Sequence, residues 1–180
     1  MVYNYKELIS KYGSDYQIQK EVKNKKLYKI DDGIYSDIEN CHYLDIFTHK
    51  YPNAIISGDS AYYYHNLTDI IPSKIFMTTN RNSGRFNDKH INQSFSIEKL
   101  LNLGKTTIEF EGITINIYDK ERMLLELMKN KNNISYDYYK EIIENYRKIK
   151  NEVDIYKLRE YANVYQNGDK LLMMIQDEVF

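Results

Sequence analysis

Six side chains near the start of the chain have the types and spacing to read a nucleic acid. Gln17 and Gln19 offer amide groups that donate and accept toward base edges, and Lys20, Lys23, Lys25 and Lys26 offer charges for backbone phosphate. A second pair of cations, Arg81 and Arg85, lies in the polar stretch Asn80-Arg81-Asn82-Ser83-Gly84-Arg85-Phe86-Asn87-Asp88-Lys89. The planar fork of arginine makes paired contacts to phosphate or carboxylate, so this loop is the candidate in the second half of the chain for an anionic partner. The plainer alternative is a solvated hairpin tip.

Enzymatic constellations are incomplete. Ser57-Gly58-Asp59-Ser60 before a helix, with Thr68-Asp69 further on, is similar to the Gly-Ser and Asp-x-Asp arrangement of nucleotidyltransferases. That chemistry needs two close carboxylates to hold Mg²⁺ against a triphosphate. Asp69 is followed by Ile70 and Ile71, so the second carboxylate is absent from its place. Glu109 and Glu111 share a strand face but lack the following lysine of a nuclease site. His42, His49, His65 and His90 form no i, i+4 pair, and with Cys41 they lack zinc-ligand spacing. No glycine-rich phosphate loop is present. The expectation is a non-enzyme with no catalytic residues, metal or cofactor.

Composition narrows the class. The 180 residues are 42% hydrophobic, enough for a core of one domain or a small module plus a larger one. One cysteine excludes an internal disulfide and suits a reducing compartment. The polar N-terminus carries no apolar signal segment, and no run approaches the roughly 18 apolar residues of a membrane span. A cytoplasmic protein with no membrane partner is expected. The formal net charge is -1, so a nucleic-acid site has to be a local patch. Residues 1–29 hold seven basic against three acidic side chains, +4, which leaves about -5 for the remainder.

These residues need elements to position them. Asn4 caps a helix through about Tyr12 with Leu8 and Ile9 inward, and Gly13 ends it. Ser14 or Asp15 caps a second helix through about Asn24, with Ile18 and Val22 on one face and Gln17, Gln19, Lys20 and Lys23 largely on the others. Asp32-Gly33 then turns a short hairpin. Helix, turn, helix, hairpin is the order of a winged helix; the same pattern also suits a packing or dimerisation module. After a linker and a helix ending at Tyr51-Pro52, residues 54–57 read as a strand, 57–65 as a helix and 74–79 as a strand. Residues 90–96 return as a strand, 97–103 form a short helix, and 106–118 form a hairpin whose Ile113, Ile115 and Ile117 face the core while Thr114, Asn116 and Tyr118 face water. Asp119 caps a helix with Met123, Leu124, Leu127 and Met128 in the core, and three further helices complete the chain. The fold class expected is α+β: a partial winged helix-turn-helix over 1–37, its first helix missing, then a mixed α/β domain with a C-terminal helical run over 38–180.

Three phrases in residues 51–79, Ile56-Ser57-Gly58-x-Ser60-Ala61, His65-x-Leu67-Thr68 and Ile71-Pro72-x-Lys74-Ile75, resemble the core motif of AbiEi-type antitoxins, the transcriptional regulators of type IV toxin-antitoxin pairs. Lys26-Leu27-x-x-Ile30-x-x-Gly33-Ile34-Tyr35 resembles the end of that family's winged helix, and Tyr118-Asp119-x-Glu121-Arg122-x-Leu124 a later strand-to-helix junction. Two positions depart: Met1 leaves no room for the helix that family members carry ahead of the pair, and Asp31-Asp32 stands where the wing is commonly basic. The resemblance implies an abortive-infection antitoxin that represses its own operon by binding promoter DNA and counteracts a co-encoded nucleotidyltransferase-type toxin, without necessarily binding it. The alternatives are a degenerate nucleotidyltransferase-like enzyme or an interaction domain that binds no DNA. Residues 57–61, small and next to a strand, suit close packing as well as partner contact.

Overall fold

The computed structural model describes residues 1–180 as two compact units. One comprises Met1–Asn53 with Glu111–Thr114, the other Ala54–Phe110 with Ile115–Phe180. The fold is α+β, with nine α-helices and two sheets. No helix is long and apolar enough to cross a membrane.

The first unit opens with a strand, β1 (Val2–Asn4), followed by α1 (Tyr5–Tyr12), α2 (Asp15–Lys23), β2 (Tyr28–Asp31) and β3 (Ile34–Ser36). Asn4 and Glu7 form a reciprocal capping box at α1. Gly13 closes that helix at φ 80°, a left-handed conformation that glycine tolerates without a Cβ clash. Ser14, rather than Asp15, caps α2. The strands form an antiparallel sheet in the order β1-β3-β2.

Strand alternation divides this sheet's side chains between two layers. Tyr35, with Tyr3 beside it, packs against Leu8 and Ile18 of the two helices and Leu27. Val2, Ile34 and Ser36 point the other way and are also buried. Helix α3 (Tyr43–Lys50) packs on β1 and β3, burying Leu44 and Phe47. For this reason the unit continues past Asp37, where the sequence suggests a boundary, to Asn53.

The second unit contains β4 (Ile55–Ile56), α4 (Gly58–Tyr64), β5 (Ile75–Asn80), β6 (Ile91–Ser96), α5 (Glu98–Leu101), β7 (Lys105–Phe110) and β8 (Ile113–Tyr118). Helices α6 (Lys120–Asn130), α7 (Tyr136–Lys148), α8 (Ile155–Ala162) and α9 (Gly168–Glu178) follow. The sheet order is β6-β5-β4-β8-β7. Strand β4 pairs antiparallel with β5 and parallel with β8, and its Ile55 and Ile56 are buried with Met77, Ile115 and Ile117.

Strands β5 and β6 run parallel, Ile75 opposite Ile91 through Asn80 opposite Ser96. The stretch carrying Arg81 and Arg85 is therefore a return crossover and not a hairpin tip. Parallel neighbours usually need a helix or a dozen residues between them; here residues 81–90 make the connection, and Gln93 is bonded to it. Gln93 Oε1 accepts from the Phe86 amide at 2.8 Å, and its Nε2 donates to the Gly84 carbonyl at 3.1 Å and to Thr79 Oγ1 at 2.8 Å.

Residues 57–69 are fixed by their neighbours. Ser60 Oγ accepts from the Phe76 amide at 2.9 Å, joining α4 to β5. His65 Nε2 lies 2.6 Å from the Tyr118 carbonyl. Glu141 on α7 accepts from Thr68 Oγ1 at 2.8 Å and from the Asp69 amide at 3.0 Å. The small and polar positions of this stretch thus serve packing among β5, β8 and α7.

Candidate functional site

The six candidate nucleic-acid side chains all lie in the first unit and all are exposed. Burial of Ile18 on one side of α2 turns Gln17, Gln19, Lys20 and Lys23 outward. Lys20, Lys23 and Lys25 have no carboxylate within ion-pair distance, and Lys26 is 4.0 Å from Glu21. Free cations on a helix face keep their charge available to an anionic partner.

Lys25 occupies an unusual backbone position. It follows α2 at φ 56°, where its amide donates to the Val22 carbonyl at 3.0 Å and the next amide, of Lys26, donates to Glu21 at 3.0 Å. This is a Schellman closure with lysine at the place that glycine usually fills. A side chain there costs about 1 kcal/mol of backbone strain. The strain fixes a cation at the end of α2, beside Lys23 and Lys26.

The hairpin tip carries Asp31 and Asp32, as its sequence indicates. Asp32 is 3.1 Å from Lys29 and Asp31 is 2.5 Å from Lys50. Each acid of the tip thus faces a lysine, which lessens the repulsion it offers to phosphate.

A different arrangement occupies the second unit. A cavity of about 720 Å³ lies over one face of β5 and β6, walled by α6 and the start of α4. Its floor is a row of hydroxyls: Thr78 Oγ1 donates to Ser57 Oγ at 2.9 Å and lies 2.7 Å from Ser94 Oγ. Of the two arginines marked in the loop, Arg81 lines this cavity and has no side-chain acceptor. Arg85 is exposed and does not line it. The structure therefore separates the pair.

Sequence periodicity gave no sign of Arg122, which reads as the polar face of α6 but is 4% exposed. Its guanidinium lies between the rings of Tyr118 and Tyr165, 4.9 and 5.2 Å from their centroids. Nη2 is 2.9 Å from Glu126 Oε1 and Nη1 donates to the Leu100 carbonyl at 3.1 Å, while the buried Nε has no acceptor. Tyr118, expected on a wet face, is buried beneath this group and its hydroxyl also lacks a partner of good geometry. Each such orphaned donor costs about 1–3 kcal/mol. Burial pushes the Tyr118 hydroxyl up to about 12 against the opposing Arg122 charge.

Glu126 is saturated. Besides Arg122 it accepts from Tyr165 Oη at 2.7 Å, and Lys129 Nζ lies 3.5 Å from its second oxygen. Asp59 is the other carboxylate at the cavity, and burial raises its carboxyl above the ordinary range, offset in part by the Tyr138 hydroxyl. Strand β5 lines the cavity with Phe76 and Thr78, so it presents no carboxylate there. Asp69 sits in the exposed loop after α4 and does not line the cavity. No group of three or more His, Cys, Asp or Glu side chains is placed to hold a metal ion.

No protein-family model matches the sequence, and no curated protein matches it at a significant level.

Proposed function

We propose that the chain is a DNA-binding antitoxin of the type IV kind, repressing its own operon and counteracting a co-encoded nucleotidyltransferase-type toxin without catalysing a reaction itself. The observation that carries the DNA-binding half is the first unit's topology. A strand, two helices and a hairpin whose strands pair as β1-β3-β2 support a winged-helix reading, with α2 proposed as the recognition helix. Gln17, Gln19, Lys20 and Lys23 stand on its exposed face. Lys25 and Lys26 follow as backbone contacts.

The antitoxin half rests on the sequence resemblance, and the second unit is the part proposed to carry it. The cytoplasm, where promoter and toxin are both found, is the proposed location. The test is growth rescue. Cells expressing the toxin encoded beside this gene are complemented with the full chain or with residues 54–180. A start at Ile38 is unsuitable, because it keeps the apolar side of α3 while removing the strands that cover it. Rescue by both chains is expected, with repression of a promoter reporter by the full chain alone. Failure of the full chain to rescue overturns the antitoxin reading.

A further inference from the structure

The cavity of the second unit is the feature that DNA binding leaves unused. Its volume, about 720 Å³, is that of a small-molecule site. Its lining is mixed: Phe76 lies beside Asn92 on the strand face that also carries Thr78 and Ser94, Ile97 and Leu100 add apolar surface, and Arg81, Arg122, Lys129, Asp59 and Glu126 add charge.

The polar part of this lining has a surplus of donors. Arg81 has no side-chain acceptor and Arg122 keeps an unused Nε–H. Of the two carboxylates at the cavity, Glu126 is already shared among Arg122, Lys129, Tyr165 and Asn130, and Asp59 is bonded to the Tyr138 hydroxyl. An occupant that satisfies this wall has to bring oxygen acceptors, and negative charge suits the cations. The Phe76 ring suits a planar body.

We propose that this cavity binds a small organic anion, a planar ring bearing a carboxylate or phosphate group, with its acidic group held by Arg81 and Arg122 and its ring against Phe76. The Nε of Arg122 is buried beneath the wall, so contact with it requires the guanidinium to turn. The anion does not depend on the DNA-binding reading, and its test uses no DNA.

Calorimetry on the full-length protein, with four probes, tests it: salicylate as ring plus carboxylate, adenosine 5′-monophosphate as ring plus phosphate, inorganic phosphate as anion alone, and salicylamide as uncharged ring. At least one of the first two binds with a Kd of about 1 mM or tighter, and phosphate and salicylamide bind at least about tenfold more weakly. Which of the two ring-bearing anions binds tells phosphate from carboxylate. Arg81→Ala, a change of an exposed side chain that leaves the fold intact, weakens the bound probe about tenfold. Arg122→Lys, which keeps the charge and removes Nε, weakens it as well, with the melting temperature checked in parallel. Failure of both ring-bearing anions to bind, affinity unchanged by Arg81→Ala, or equal affinity for inorganic phosphate overturns the proposal.

Discussion

The exposed lysines of α2 and the buried arginine of α6 use positive charge in opposite ways. Lys20, Lys23 and Lys25 stand in solvent without carboxylate partners, so they contribute little to folding and keep their charge for something outside the molecule. Arg122 is stripped of water and held by Glu126, a backbone carbonyl and two tyrosine rings. Removing it leaves a carboxylate without its main partner inside the protein. The first kind is tested through binding, the second through stability as well as through affinity for the proposed anion.

Substitutions break that comparison in order of size. Arg122→Ala is expected to destabilise the protein by about 3–5 kcal/mol, because it orphans part of Glu126 and opens space between the rings, and chemical denaturation measures it. Ile18→Ala, at the centre of the helix pair, is expected to cost about 2–4 kcal/mol by cavity formation. By contrast Lys20→Ala and Lys23→Ala stay within about 0.5 kcal/mol of the parent in the same assay. Equal losses at Arg122 and Lys20 would remove the distinction.

Lys25→Gly sharpens it further. Relief of the left-handed lysine is expected to stabilise the chain by about 1 kcal/mol while weakening promoter binding. A residue kept for the fold alone would show the first effect without the second.

The smallest effect concerns pH. His65 is held below the ordinary imidazole value mainly by burial, with nearby Lys120 acting the same way and its bond to the Tyr118 carbonyl opposing. The unfolded chain therefore takes up a proton that the folded one resists. Stability from this site is present above the ordinary imidazole range and is lost as pH falls through it. Melting curves from about pH 7.5 to about pH 5.5 should show a drop that is smaller in His65→Gln.

Local chemistry made much of this fold legible. Asn4, Gly13, Ser14, Asp32-Gly33 and Asp119 mark helix and turn ends through bonds within a few residues, and each acts where its type indicates. Long-range pairing left no such mark. Strand β1 has three residues and exists because Tyr3 meets Tyr35 across the chain. The parallel pairing of β5 and β6 joins residues far apart in the chain, and the bonds of Gln93 to the loop between them come from a side chain that reads as one more polar residue of a strand. The extension of the first unit to Asn53 depends on α3 covering the back of the small sheet.

The candidate site was legible in the same uneven way. The lysines and glutamines of α2 are visible because a single amphipathic helix decides what it exposes. The cavity was hidden because Arg81, Ser94 and Arg122 come from three separate elements. Arg122 in particular sits where helical periodicity predicts a solvated side chain. It is buried only because Tyr118 and Tyr165 close over it.

Fluorescence anisotropy on the protein's own promoter fragment, titrated across salt concentrations, tests the central claim most directly. The parent chain should bind with a log–log salt slope that includes about -3.6 per protomer from Lys20, Lys23, Lys25 and Lys26, at roughly -0.9 per phosphate contact. Changing all four to alanine should remove that part of the slope and most of the affinity. Unchanged affinity and slope in the four-alanine variant, with the fold intact, would contradict the assignment of α2 to DNA.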